Sequence, residues 1–182
     1  MNIRPLKLAG SYEIQLKPLR DERGYFMRAY DEVIFREHGL STAWAQENQS
    51  SSLRRGVVRG LHFQKPPHAE TKLIRAVVGA VLDVFVDLRK SSPTYGQWDS
   101  VELNANNMNY VYVPRGCAHG YCTLTEESTV LYKVDSRYAP EAEGGILWND
   151  PDLAITWPVE SPLISAKDAK WPLFRDFITP FD

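Results

Sequence analysis

The run AVLDVFVDLR, Ala80 to Arg89, alternates Leu82, Val84, Val86 and Leu88 with Asp83, Phe85, Asp87 and Arg89. Successive side chains of a strand point to opposite sides, so a period of two predicts an extended segment with two unlike faces. The chain repeats the theme in the short runs YEIQL, GYFMRAY, AWAQENQ, KLIRAVV, DSVELN, YVYV, YCTL and TVLYKV. Between them stand clusters of Gly, Pro, Asn and Ser, such as SSPTYGQ and PRGCAHG, which favour turns. Many strands at short spacing predict an all-β barrel or sandwich, because each strand must bury a face against another sheet. DEVIFREHG, stopped by Gly39, and a stretch around SAKDAKW read as two short peripheral helices.

A chain of 182 residues is long enough to bury a full core, and residues 1–182 show no repeat, linker or low-complexity tract, so one domain is expected. The most apolar stretch, Leu73 to Leu88, is interrupted by Arg75, Asp83 and Asp87, and the first residues lack the apolar core of a signal peptide. A soluble protein without membrane contact is expected. Cys117 and Cys122 are too few for a disulfide framework and suit a reducing cytoplasm. A net charge of −2 supplies no overall attraction for nucleic acid. Function is expected on strands and loops around the barrel interior.

PRGCAHG carries Pro-x-Gly-x-x-His, which resembles the second of two motifs lining the barrel mouth of the cupin superfamily of double-sheet jelly rolls. The first cupin motif usually supplies His-x-His and a later Glu as metal ligands, a donor set suited to transition metals. Here that stretch reads His62-Phe63-Gln64, with the cation Lys72 shortly downstream. An ammonium opposes a metal ion and favours a developing negative charge, so a site without metal or cofactor is expected. The competing reading is a metal-dependent cupin with His62, His68, Glu70 and His119 as ligands.

A histidine and a lysine can remove a proton beside a carbonyl, the imidazole as base and the ammonium as partner of the enolate oxygen. Tyr132 shares a strand face with Val130 and Val134, which makes it a candidate buried proton donor. Asp168 is a candidate to orient the imidazole and raise its basicity. Taken singly, His62 reads more readily as a core histidine, and only the company of Lys72, Tyr132 and Asp168 reverses this; Asp83 and Asp87 read alone as charges on a strand surface, and Arg23 as a turn arginine.

The segments DERGYF, QENQSSS, VVRGLHFQKPPHAETKLIRAVVGAVLDVFVDLRKSSPTYGQW, YVPRGCAHGY, LYKVDSRYAPEAEGGILWNDPDLAITWP and LISAKD resemble, in order and spacing, the dTDP-4-dehydrorhamnose 3,5-epimerase family. The resemblance implies a metal-free cupin homodimer that epimerises a nucleotide-linked 4-keto-6-deoxyhexose, at C3, C5 or both. By position, His62 is similar to the family's base, Asp168 to its dyad partner, Tyr132 to its general acid and Lys72 to its enolate-stabilising cation. Arg23 and Arg59 resemble diphosphate contacts, Phe26 and Tyr138 aromatic contacts to the base, Gln46 and Asn48 polar groups around the nucleotide, and Asp83 and His119 further polar members of the cavity. Arg59 and His62 have opposite strand parity, so both reach the cavity only if Gly60 hosts a bulge. Arg28 stands where the family usually has an acidic residue and Glu70 where glutamine is common. A pair between Arg28 and Glu70, or recognition of a different base or an extra acidic group by Arg28, is expected.

Overall fold

The period-two runs form strands in the computed structural model, which describes all residues from Met1 to Asp182. In chain order these are β1 (Asn2–Pro5), β2 (Tyr12–Gln15), β3 (Leu19–Asp21), β4 (Gly24–Phe26), β5 (Gln46–Ser52), β6 (Val58–Gln64) and β7 (Lys72–Val78). They continue with β8 (Ala80–Asp87), β9 (Trp98–Asn104), β10 (Asn109–Val113), β11 (Cys117–Thr123), β12 (Ser128–Val134) and β13 (Glu143–Gly145). One sheet has the order β1-β2-β10-β7-β12-β5 and the other β13-β6-β11-β8-β9, while β3 and β4 form a separate hairpin. Every named strand pairing is antiparallel, as in a double-sheet jelly roll.

Three apolar layers hold the sheets. Between them, Ile74 and Ala76 of β7, Val111 and Val113 of β10 and Val130 of β12 meet Val81 and Phe85 of β8, Leu103 of β9 and Tyr121 of β11. Outside the second sheet, Leu61, Phe63, Val84, Val86 and Leu88 are covered by Ile146, Leu153, Ile155 and Phe181 from the C-terminal segment. Outside the first, Ile14, Leu73, Tyr110 and Tyr112 lie under Phe35 and Leu40. Each fully buried Val, Leu, Ile or Phe contributes about 1.5–3 kcal/mol, so the outer layers stabilise the fold as the inner one does.

This arrangement corrects the reading of Asp83 and Asp87 as surface charges. They share a parity with Phe85 and so face the sandwich interior, where both are 0% exposed. Asp87 is satisfied by Arg89, Ser92 and Thr94, whereas only Oδ2 of Asp83 is engaged, by His119. Leu82, Val84 and Val86 face outward, under or against the C-terminal segment.

DEVIFREHG forms α1 (Glu32–Glu37), capped by Asp31, whose carboxylate accepts from the Val33 and Ile34 N–H groups, and followed by Gly39 at φ +68°. The tail helix is shorter than expected: SAKDAKW gives a single 3₁₀ turn, Asp168–Lys170, with Trp171 extended before Pro172, and another such turn follows at Phe174–Asp176. The residue before a proline avoids the helical region, which ends the first of these turns there. GYFMRAY is a strand only over Gly24–Phe26, and the AWAQENQ strand begins at Gln46.

Candidate active site

His62 lies opposite His119 across β6 and β11, and Arg59 lies opposite Tyr121. Two residues of β6, Gly60 and Leu61, therefore stand against the single residue Gly120 of β11, which is a β-bulge. Gly60 adopts φ +130°, and a Cβ there would lie 2.6 Å from the Cα of Gly120, so the bulge requires glycine. It turns Arg59 and His62 to the same side, as Gly60 was expected to do. Leu61 and Phe63 then face the outer apolar layer.

His62 Nε2 stands 2.6 Å from Asp168 Oδ1, and the Asp168 side chain is 5% exposed. Burial pushes the Asp168 carboxyl up, but the His62 ring, the Gly60 N–H and Ser165 outweigh it and hold the group below the usual carboxylate range. Asp168 is thus the acceptor and His62 Nε2 the donor, which leaves Nδ1 as the nitrogen with a lone pair. Lys72, 8% exposed at the start of β7, gives its Nζ to Glu70 Oε1 at 2.5 Å and stands 6.0 Å from the centre of the Tyr132 ring. Burial, and then the Glu70 charge, push the Tyr132 phenol above its ordinary value.

These groups surround two adjoining cavities. The first, of about 530 Å³, is lined by Arg59, His62, Lys72, His119, Tyr132 and Asp168 among others. The second, of about 350 Å³, shares His62, Lys72 and Tyr132 with it and adds Gln46, Asn48, Glu70, Tyr138 and Glu143. Together they have the size of a site for an extended small molecule. Asp83 sits behind the first cavity, with Oδ2 2.8 Å from His119 Nε2. Its Oδ1 is buried without a partner, and burial pushes its carboxyl up against the pull of His119 and Lys72. Arg59 Nη2 donates to Ser51 O at 3.2 Å, and the Tyr138 N–H donates to Gln46 Oε1 at 2.6 Å.

Four expected substrate-binding residues line neither cavity: Asp83 is wholly buried behind His119, and Arg23, Phe26 and Arg28 stand elsewhere. Arg23 and Phe26 belong to the β3–β4 hairpin, whose own shallow cavity contains neither His62 nor Lys72. Phe26 is 67% exposed, and Arg23 pairs with Asp21. Arg28 donates to Asp31 Oδ2 at 3.1 Å, and Glu70 pairs with Lys72, so the Arg28–Glu70 pair does not form. Asp31 is three residues from Arg28 and already fixed as a helix cap, which makes it the nearer partner.

Trp171 is a site residue that the sequence reading omits. Its Nε1–H donates to Asp168 Oδ1 at 3.3 Å, and its ring meets His62 edge-on at 6.2 Å between centres. The indole lies on Gly145, where a Cβ would come within 2.5 Å of it. The signal available beforehand was the spacing of three residues from Asp168, which brings two side chains together across a helical turn. Of the groups weighed as metal ligands, His62, His119 and Glu70 are bonded to Asp168, Asp83 and Lys72, while His68 lies 4.0 Å from Glu141. No three His, Cys, Asp or Glu side chains converge as a metal-binding group.

Fold and site together define a cupin-type jelly roll with His62, Asp168, Lys72 and Tyr132 gathered around one pair of cavities. The chain belongs to the dTDP-4-dehydrorhamnose 3,5-epimerase family, an isomerase family whose model matches residues 5–176. It is 43% identical to dTDP-4-dehydrorhamnose 3,5-epimerase of Shigella flexneri over 97% of each chain. It is 42% identical to dTDP-4-dehydrorhamnose 3-epimerase of Streptomyces niveus over 92% of this chain and 81% of that protein. The crystal structure of the Bacillus anthracis 3,5-epimerase with TDP and PPi bound superposes with a TM-score of 0.93 at 43% identity, covering 95% of this chain and 99% of that one. No helix is long and apolar enough to cross a membrane.

Proposed function

We propose that the protein converts dTDP-4-dehydro-6-deoxy-D-glucose to dTDP-4-dehydro-L-rhamnose by inverting C3 and C5 through enolates. The observation that carries this reading is the His62–Asp168 pair, 2.6 Å apart, beside the Lys72 ammonium and the Tyr132 phenol. The C4 ketone acidifies the protons on C3 and C5. His62 takes such a proton, and the C–H electron pair moves into the ring to form an enolate whose oxygen is stabilised by Lys72. Tyr132 returns a proton to the opposite face of the carbon, and a proton released from His62 restores the phenol. No electron is gained or lost, so the cycle needs no redox cofactor, and the Lys72 ammonium supplies the positive charge that the enolate oxygen calls for.

Residues 1–182 act as one unit in this reading, since the base and its carboxylate stand 106 positions apart in the chain. Arg59, Gln46, Asn48, Tyr138 and His119 hold the nucleotide sugar from within the chain, and Asp83, wholly buried, braces His119 from behind. Arg23 and Phe26 reach the diphosphate and base of the same ligand only from a second copy, so the enzyme works as a homodimer with the exposed hairpin crossing between subunits. The exposure of Leu19, Tyr25 and Phe26 on that hairpin supports this. Mixing His62→Asn and Arg23→Ala subunits should then restore activity that neither variant has, whereas no restoration would place Arg23 in its own subunit's site. The free buried thiols of Cys117 and Cys122 suit the cytoplasm.

The deciding experiment is proton NMR of dTDP-4-keto-6-deoxyglucose with the protein in deuterated water, before and after chelation. Loss of both the C3 and C5 signals is expected. The identity to the Streptomyces niveus 3-epimerase favours, as second reading, inversion of C3 alone, which would leave the C5 signal intact. Activity lost on chelation would instead support a metal-dependent cupin.

A further inference from the structure

Glu70 precedes β7 and points its side chain inward, with 10% of it exposed. Both its oxygens are engaged: Oε1 accepts from Lys72 Nζ at 2.5 Å and Oε2 from Gln64 Nε2 at 3.0 Å. Gln64 is itself fixed, because it is 3% exposed, donates to His68 O and Arg137 O and accepts the Ala139 N–H at 2.7 Å. The carboxylate therefore has one place to stand, and the ammonium bonded to it has little freedom.

Such a pair has a consequence for Tyr132. The titratable and charged groups that share its two cavities are Glu70 and Lys72 from the β7 side, Arg59 and His62 from β6, Tyr121 and His119 from β11, Tyr138 and Glu143 at and before β13, and Lys167 and Asp168 from the tail. On β5 its neighbour is the neutral Asn48. Among the charges acting on it, Glu70 disfavours the phenolate and Arg59 favours it. Were Lys72 without Glu70, an uncompensated ammonium would stand against the ring.

We propose that Glu70 is a positioning residue, which anchors the Lys72 ammonium beside Tyr132 and governs the proton held on the Tyr132 oxygen. This rests on the reaction above for its catalytic meaning, in which Tyr132 must arrive with its proton and Lys72 must meet the enolate oxygen at a set point. The ion pair itself stands on geometry alone. Glu70→Gln keeps the shape and an acceptor for Lys72 or Gln64 but removes the charge, while Glu70→Asp keeps the charge.

The test is a titration of the protein carrying carbon-13 at the tyrosine Cζ, with the Tyr132 signal assigned by its loss in Tyr132→Phe. The Tyr132 midpoint is expected to move to lower pH in Glu70→Gln, to return toward the parent value in Glu70→Asp, and to move to higher pH in Lys72→Met, where the Glu70 charge stands alone. The alkaline limb of kcat/KM should follow the same order for the two Glu70 variants. An unmoved midpoint in Glu70→Gln, or movement in the same direction in Lys72→Met, would overturn the proposal. If Glu70→Gln does not fold, Lys72→Met decides by the sign of its shift. The titration needs no turnover, so a missing epimerase activity would defeat the reaction reading and leave this result standing.

Discussion

His62 and His119 stand opposite each other on β6 and β11, and each directs Nε2 at its own buried carboxylate, Asp168 at 2.6 Å and Asp83 at 2.8 Å. The two pairs are not equivalent. Asp168 is held below the ordinary carboxylate range and Asp83 above it, and opposite displacements of this kind separate the roles of two like groups. A charged Asp168 holds the Nε2 proton and so leaves His62 Nδ1 as the nitrogen that can accept one. Asp168→Asn should lower kcat by about 10²–10⁴-fold with little change in KM, and His62→Asn should abolish deuterium entry at C3 and C5. Steady-state kinetics and NMR in deuterated water check both.

In the proposed cycle Tyr132 acts after the proton has left, so its removal should separate the two halves of the reaction. Tyr132→Phe is expected to retain exchange of the substrate's proton for solvent deuterium while losing inversion. The ring stays to fill its place against the core cluster, so the fold should persist. NMR distinguishes deuterium incorporated with retention from deuterium incorporated with inversion.

The two carboxylates should also leave opposite marks on stability against pH. For Asp168, whose folded pKa is lowered, stabilisation is fully present above the unfolded value near 3.8 and is lost as pH falls through the lower folded value. For Asp83, whose folded pKa is raised, the folded state binds the extra proton, so stability is lost as pH rises from 3.8 through the folded value. Urea unfolding across this range should show the acid-side loss diminished in Asp168→Asn and the loss on raising pH diminished in Asp83→Asn.

Gly60 is the hinge of the bulge. An alanine there would place its Cβ 2.6 Å from Gly120 Cα and 2.9 Å from His119 O, and would have to hold φ +130°. Gly60→Ala should destabilise the protein by about 1–3 kcal/mol and displace Arg59 and His62 relative to one another. A lower midpoint of unfolding, with a fall in kcat/KM larger than that of Gly24→Ala on the exposed hairpin, would show it. At Gly24 a Cβ would meet nothing within 4 Å, so only backbone strain is tested there.

Much of this site was readable before any coordinates. Tyr132 follows from parity with Val130 and Val134, His62 and Lys72 from residue type around a broken His-x-His motif, and α1 from the DEVIFREHG run stopped by Gly39. Those signals are local, because they depend on neighbours within one strand or turn. Asp83 and Asp87 misled for the same reason: alternation separates two faces of a strand but does not say which faces the other sheet when the C-terminal segment makes the outer face apolar too. Arg28 found Asp31 rather than Glu70 because a fixed helix cap stood three residues away.

The sequence by itself determined the strand periodicity, the turn chemistry and the inventory of acid and base groups, since these reside in side chains and short spacings. The tertiary structure decided which of those groups meet. Asp168 reaches His62 across 106 positions only when the tail folds over β6, and the bulge at Gly60 brings Arg59 to the same side only because β11 supplies one residue against two. Both depend on the stacking of elements remote in the chain, a property that no window of residues contains.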